Sequence, residues 1–201
     1  KKTDFVNGMR VTDEETLLVV EEELQKLNDI IVAELKELGA HAVCLNGKDD
    51  SIIAVEKKKA KIDLGLVGEI VSINPQPILK ELKEDNVVVV LPMGRGPDKK
   101  VYNVNADESA AHIAAALRAE KFVLLTNVKG IMRNAEDVNS FISTLTVKEA
   151  QGLIENNIVQ QGMIPKVESC IQALDNGVKK THIIDARIPH GILLEIFTDT
   201  G

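Results

Sequence analysis

The sequence predicts an α/β fold, and three observations carry that reading. Helical and strand patterns alternate along the 201 residues, the order expected of stacked β–α units. Within Tyr102–Met132 (YNVNADESAAHIAAALRAEKFVLLTNVKGIM) a capped helix feeds directly into a short apolar run, which is half of a βαβ crossover. Val87–Leu91 is an unbroken, β-branched stretch, the pattern of an interior strand in a parallel sheet.

The elements follow in order. Thr3–Arg10 reads as a loop around the turn dipeptide Asn7-Gly8. Thr12 with Glu15 forms a capping-box signal for a helix carrying Leu17, Leu18, Val20 and Leu24. A further helical stretch with Leu27, Ile31, Leu35 and Leu38 stops at Gly39. Ala42–Leu45 is a strand, turned by Asn46-Gly47. Ser51–Val55 and Leu66–Ile73 are expected to pair, with the charged run Glu56–Lys61 between them. Asn74-Pro75 opens a helix, with Pro at its first position. Met93–Lys100 is a Gly/Pro turn, and Tyr102–Val104 a short returning strand.

Asn105 followed by Glu108 starts the next helix, whose expected inner face is Ala106, Ala110, Ile113, Ala114 and Leu117. Phe122–Leu125 is a buried strand, and Thr126–Gly130 turns the chain into a polar loop, Arg133–Asn139. Thr146 and Glu149 cap another helix. After the loop Asn156–Pro165, a helix runs from Pro165 to Asn176 and stops at Gly177. His182–Ile184 is a strand, and Pro189–Ile196 the last helix.

Composition narrows the function. A net charge of −7 gives no support to nucleic-acid binding. Aromatic residues at 2% provide no base-stacking surface. The longest apolar runs are too short to span a bilayer, and no signal peptide is legible at Lys1. Cys44 falls in a strand and Cys170 on a helix, as expected of reduced thiols. His41, His112, His182 and His190 share no metal-ligand spacing, so no metal site is expected. Lys57–Lys59 reads as a solvated turn. Gly94-Arg95-Gly96 is too short and too close to Pro to be a phosphate fingerprint. Asn103, Asn105 and Asp107 gather at a helix N-terminus, where free N–H groups favour an anion. Capping alone explains the same triplet, and both readings stand at this point.

Six blocks in order carry a resemblance to a known family: FVNGMRVTDEET (Phe5–Thr16), DLGLVGEI (Asp63–Ile70), YNVNADESA (Tyr102–Ala110), LLTNVKGI (Leu124–Ile131), GMIPKVES (Gly162–Ser169) and HIIDARIPH (His182–His190). Together they resemble the N-acetyl-L-glutamate kinases of the amino acid kinase superfamily, along essentially the whole chain. The resemblance implies a three-layer α/β/α sandwich around a mainly parallel sheet. It implies transfer of the ATP γ-phosphoryl group to the side-chain carboxylate of N-acetyl-L-glutamate, the second step of arginine biosynthesis, with Mg2+ carried by ATP. It implies a single domain over residues 1–201, binding substrate roughly through 1–120 and nucleotide roughly through 121–201. A homodimer or higher homo-oligomer, a cytoplasmic or plastid-stromal location and, in photosynthetic lineages, a PII-type regulator belong to the same set of expectations.

Roles carry over residue by residue. Lys166 matches the lysine set against the transferring phosphoryl group, and Asp107 the acidic residue that positions catalytic lysines. Arg10 matches the arginine that holds a substrate carboxylate, for which a guanidinium fork is suited. Asn103 matches a substrate-contacting asparagine. Asn127, Val128, Lys129, Gly130, Ile131 and Met132 match the nucleotide loop, and Ile158, Val159 and Gln160 a second nucleotide segment. Read without the resemblance, these are a helix-start lysine, a cap, a loop arginine and turn residues. Three positions depart from the family pattern: Asn127 stands where Asp is usual, Ala186 where Gly is common, and Glu21–Asn28 is one residue short and lacks a Gly.

The family also carries N-terminal strands with a second catalytic lysine and glycine-rich turns, and a C-terminal strand, which these residues do not match. The chain opens on Lys1-Lys2 without methionine, and the expectation is a chain incomplete at both ends. The competing reading is therefore a catalytically inactive fragment, or a nucleotide- or amino-acid-binding regulatory module of the same fold.

Overall fold

The computed structural model describes residues 5–6, 9–128, 130–133, 137, 140–159 and 162–197. The expected turn Asn7-Gly8 and the candidate nucleotide residues Lys129 and Gln160 lie outside the described residues. The chain divides into two compact units, Lys1–Leu117 and Arg118–Gly201.

The first unit opens with β1 (Phe5–Val6) and β2 (Met9–Arg10), paired antiparallel, so the expected loop is a short hairpin. Helix α1 (Glu14–Glu37) follows as one continuous helix of 24 residues, about 36 Å long. The two helical stretches expected here merge because Gln25 and Lys26 are good helix formers. Lys26 also pairs with Glu22 at 2.8 Å and Glu23 at 2.9 Å. Its N-cap is Asp13, whose side chain accepts from the Thr16 N–H at 2.7 Å. Thr12, expected in that role, is fully buried and bonded through its backbone to residues 64 and 66. Gly39 ends the helix as expected, at φ +88°.

Strand β3 (Ala42–Asn46) pairs parallel with β6 (Val87–Leu91) over five residues. Between them β4 (Ile53–Lys57) pairs antiparallel with β5 (Gly68–Ile73), and α2 (Gln76–Lys83) returns the chain. Pro75 is the N-cap residue of α2, not its first helical position. The expected interior position of β6 needs correcting: among the described residues it pairs with β3 alone, and Val87 is 46% exposed. Its valine run reflects two covered faces. Val88 and Val90 join the cluster of Ile52, Ile53, Val55 and Ile78, whereas Leu91 packs with Leu17 of α1.

The expected turn over residues 93–100 holds a strand, β7 (Met93–Arg95), which forms a hairpin with β8 (Val101–Asn103). Gly94 allows that strand to lie against Val55, since a Cβ there would meet Val55 Cγ1 at 2.4 Å. Helix α3 (Ala106–Ala116) is capped by Asn105, which accepts from the Glu108 N–H at 3.0 Å. Its buried face is Ser109, Ala111 and Ala114, while Ala106 is exposed, so the expected face is rotated. An alanine-rich helix has a weak apolar gradient, and packing against β5 selects the face.

In the second unit β9 (Lys121–Thr126) and β10 (Lys180–Asp185) pair parallel over six residues. Helices α4 (Val147–Glu155), α5 (Ile164–Asp175) and α6 (Gly191–Phe197) complete it. The capping box expected at α4 is formed in both directions: the Glu149 N–H donates to Thr146 Oγ1 at 3.3 Å, and the Thr146 N–H to Glu149 Oε2 at 2.8 Å. The Thr146 N–H, with the Thr146 hydroxyl donating to the same oxygen at 2.7 Å, holds the Glu149 carboxyl below the usual carboxylate range. Gly177, at φ +99°, ends α5 as its sequence position implies. Ala150, Leu153, Val159, Met163 and Val167 form the core of this unit.

Candidate functional site

In the first unit the chain brings distant residues to one place through β-bridges. Thr12 lies between Leu64 and Leu66: its N–H donates to Leu64 O at 2.9 Å, and its carbonyl accepts from the Leu66 N–H at 2.7 Å. Asn103, the last residue of β8, donates its backbone N–H to Leu66 O at 2.9 Å. Its side-chain amide reaches Thr12 Oγ1 at 3.5 Å, the long limit of a hydrogen bond. Arg10, in β2, stands two positions before Thr12 in the chain. Residues 12, 64–66 and 103 thus form one local cluster of backbone.

Gly65 holds this cluster together. Its φ is +72°, and a Cβ would sit 2.2 Å from Thr12 O, so no other residue fits. Asp63 steadies the same loop, accepting from the Gly65 N–H at 2.9 Å and pairing with Lys57 at 2.8 Å. Lys57 and that N–H hold the Asp63 carboxyl below its ordinary value. The lysines expected in a solvated turn are therefore partly engaged: Lys57 belongs to β4, and half-buried Lys58 faces Glu108 at 3.7 Å. Thr12 and Gly65 are absent from the sequence-derived site. The turn signal of Gly65 was legible within DLGLVG, but its partner Thr12 was not.

From Asn103 the chain needs only Val104 and Asn105 to enter α3, so Asp107 stands in the first helical turn, half-buried. Asn105 caps, and Asp107 and Glu108 suit the positive end of the helix dipole. One turn on, burial pushes the His112 imidazole below its ordinary value, with the Glu108 carboxylate opposing that shift.

In the second unit the loop after β9 has two characters. Asn127 is exposed. Val128 and Ile131 pack into the apolar core under α4 and α5, and the Ile131 carbonyl accepts from the Ile142 N–H at 2.9 Å. Gly130, at φ +118°, lies under Phe141, and a Cβ would be 2.8 Å from that ring. Met132 bridges Phe141, which closes the loop. Val159 is buried in the same core, and Ile158 is at its surface.

Lys166 is half-buried in the first turn of α5, with Pro165 just before it and no acidic residue in that turn. A cation at a helix N-terminus opposes the dipole and does not serve helix stability. Combined with N-terminal N–H groups it makes the turn attractive to anions. His182 pairs with Glu195 through Nδ1 at 2.5 Å, a packing role inside the unit. Gly94 and Gly96 serve strand packing in the first unit. Among the described residues no group of three His, Cys, Asp or Glu could hold a metal ion. None of the described helices is long and apolar enough to cross a membrane.

Comparison with known proteins adds the following. A family model described as the amino acid kinase family matches residues 1–185. The acetylglutamate kinase of Petrotoga mobilis is 48% identical over 201 residues, covering 100% of this chain and 67% of that protein. The crystal structure of smu.665 from Streptococcus mutans UA159 superposes with a TM-score of 0.83 at 28% identity, over 92% of this chain and 74% of that one. N-acetylglutamate synthase from Neisseria gonorrhoeae, complexed with coenzyme A and N-acetyl-glutamate, gives 0.86 at 24% identity, over 99% of this chain and 45% of that one. The last of these speaks to the fold alone.

Proposed function

Because this chain belongs to the amino acid kinase family, on its acetylglutamate kinase branch, we propose that it phosphorylates the side-chain carboxylate of N-acetyl-L-glutamate with ATP. The observation that carries this reading is near-half identity to acetylglutamate kinases along the whole chain. It favours an enzyme over a regulatory module of the same fold.

The chemistry joins two anions. A carboxylate oxygen attacks the γ-phosphorus, the bond to the β–γ bridging oxygen breaks, and ADP leaves with that electron pair. Such a transfer is governed by alignment and charge neutralisation. In the first unit Arg10 grips a substrate carboxylate, and Asn103, set by Leu66 and Thr12, bonds the acylamino group. Asp107, as an ionised group at the start of α3, orients a catalytic ammonium. In the second unit the main chain of 127–132 and 158–160 cradles the nucleotide. Lys166 and the N–H groups of the first turn of α5 neutralise the phosphoryl oxygens as charge moves. Asn127 keeps a hydrogen-bonding side chain where the family places a carboxylate. Mg2+ enters with the ATP polyphosphate as part of the substrate.

We place the chain among homo-oligomers of the cytoplasm. Supporting self-association, α1 exposes Leu18, Val19, Leu27, Ile30 and Ile31, and its C-cap Leu38 is exposed as well. An exposed apolar helix face can pair with its own copy across a two-fold axis.

The direct test is acyl-phosphate formation. With Mg-ATP and N-acetyl-L-glutamate, the chain is expected to give a hydroxamate when hydroxylamine traps the product. ATP consumption without hydroxamate would remove the carboxylate acceptor from the proposal, and no ATP binding would remove the kinase reading.

A further inference from the structure

Parallel strands β9 and β10 end together. Thr126 and Asp185 are register partners at their carboxyl ends, and the Ala186 N–H donates to Thr126 O at 2.8 Å, tying the two following loops. Ligands of open α/β sheets bind outside such strand ends. The loop after β9 is the candidate nucleotide loop, and it folds back along β10: a Cβ on Gly130 would lie 3.8 Å from Ile183 O. The turn after β10 has no role in the site described so far.

That turn presents a fixed cation. Asp185 is only 5% exposed, whereas the Arg187 side chain is 64% exposed. The guanidinium grips the carboxylate in two parallel bonds, Nε to Oδ1 at 2.8 Å and Nη2 to Oδ2 at 2.7 Å, and the Arg187 N–H adds a third at 3.0 Å. Asp185 therefore consumes one edge of the fork and locks its direction. The other terminal amine, Nη1, has no hydrogen-bond partner among the described residues. A planar, pre-oriented guanidinium with an open edge suits phosphate oxygens.

We propose that Arg187 is a nucleotide-binding residue whose guanidinium contacts the polyphosphate, with Asp185 as its positioning residue. This rests on the nucleotide reading of the second unit given above.

Calorimetric titration of the chain with ATP, ADP and adenosine tests it, with Mg2+ present. Arg187→Gln is expected to weaken ATP and ADP binding about tenfold or more, the worth of a charge-assisted hydrogen bond, and to leave adenosine unchanged. Arg187→Lys keeps the charge without the fork and should fall between. Because Arg187→Gln removes a charged partner from the buried Asp185 carboxylate, Asp185→Asn/Arg187→Gln is measured beside it, with the same loss expected. Wild-type affinity in the double variant would assign the loss to the disturbed Asp185 carboxylate and overturn the contact. Equal weakening for adenosine would overturn the phosphate assignment. Wild-type binding of ATP with unchanged affinity in Arg187→Gln would overturn Arg187 alone. No nucleotide binding by the wild-type chain would sink the nucleotide reading and this contact with it.

Discussion

The carbonyl of Thr12 and the α-carbon of Gly65 lie so close that a Cβ on Gly65 would sit 2.2 Å from the Thr12 oxygen. Residues on either side of this contact are hydrogen-bonded to one another, and Asn103 is bonded to the same loop. The contact thus fixes where Thr12, the 64–66 loop and Asn103 meet, two residues along the chain from Arg10.

Gly65→Ala is expected to lower the unfolding free energy by more than about 2 kcal/mol, since it combines a left-handed backbone with a clash against main chain. Urea denaturation measures it. A stable variant with unaltered acetylglutamate KM would show that the loop does not shape the substrate cluster.

Lys166→Ala is expected to reduce kcat about 100- to 1,000-fold, the cost of removing one group that stabilises transition-state charge. The melting temperature should hold or rise, because the lysine opposes the dipole of α5. Hydroxamate yield and a thermal melt check the two halves. A fall in melting temperature with modest loss of rate would make Lys166 structural.

Thr146→Ala is expected to destabilise by about 1 kcal/mol through loss of the α4 cap, with nucleotide affinity unchanged. Denaturation compared with ATP titration separates the two.

His112 gives the pH dependence its sign. Burial lowers its folded-state pKa below the ordinary imidazole value, so the unfolded chain takes up the proton first as pH falls. Stability from this group is full above about pH 6.5 and declines below it. His112→Gln should flatten that part of the profile of melting temperature against pH. An unchanged slope would assign the acid sensitivity to other groups.

Leu27→Glu with Ile30→Glu is expected to shift the chain to monomer in light scattering, with circular dichroism unchanged, since both residues are more than half exposed. An unaltered mass would place self-association elsewhere.

The sequence made the fold class legible because its periodicities are strong. The Asn105 cap, the Thr146–Glu149 box, and the stops at Gly39 and Gly177 are local devices acting within a few residues. Errors arose where a local signal had a distant competitor. Thr12 looks like a cap beside Glu15, yet its backbone and hydroxyl are claimed by residues 64, 66 and 103. Met93–Lys100 looks like a turn from its glycines, yet β8 converts its first residues into a strand.

By itself the sequence determined the alternation of helices and strands, the helix ends, and the family through six ordered blocks. These depend on side-chain chemistry read over short spans. Tertiary structure decided that Gly65 lies against Thr12, that Val128 and Ile131 belong to the core, and that Asp185 holds Arg187 at the end of β10. The first two are meetings of residues far apart in the chain, set by close packing and strand register. The third joins residues two apart, but its bearing on a ligand depends on β10 ending beside β9.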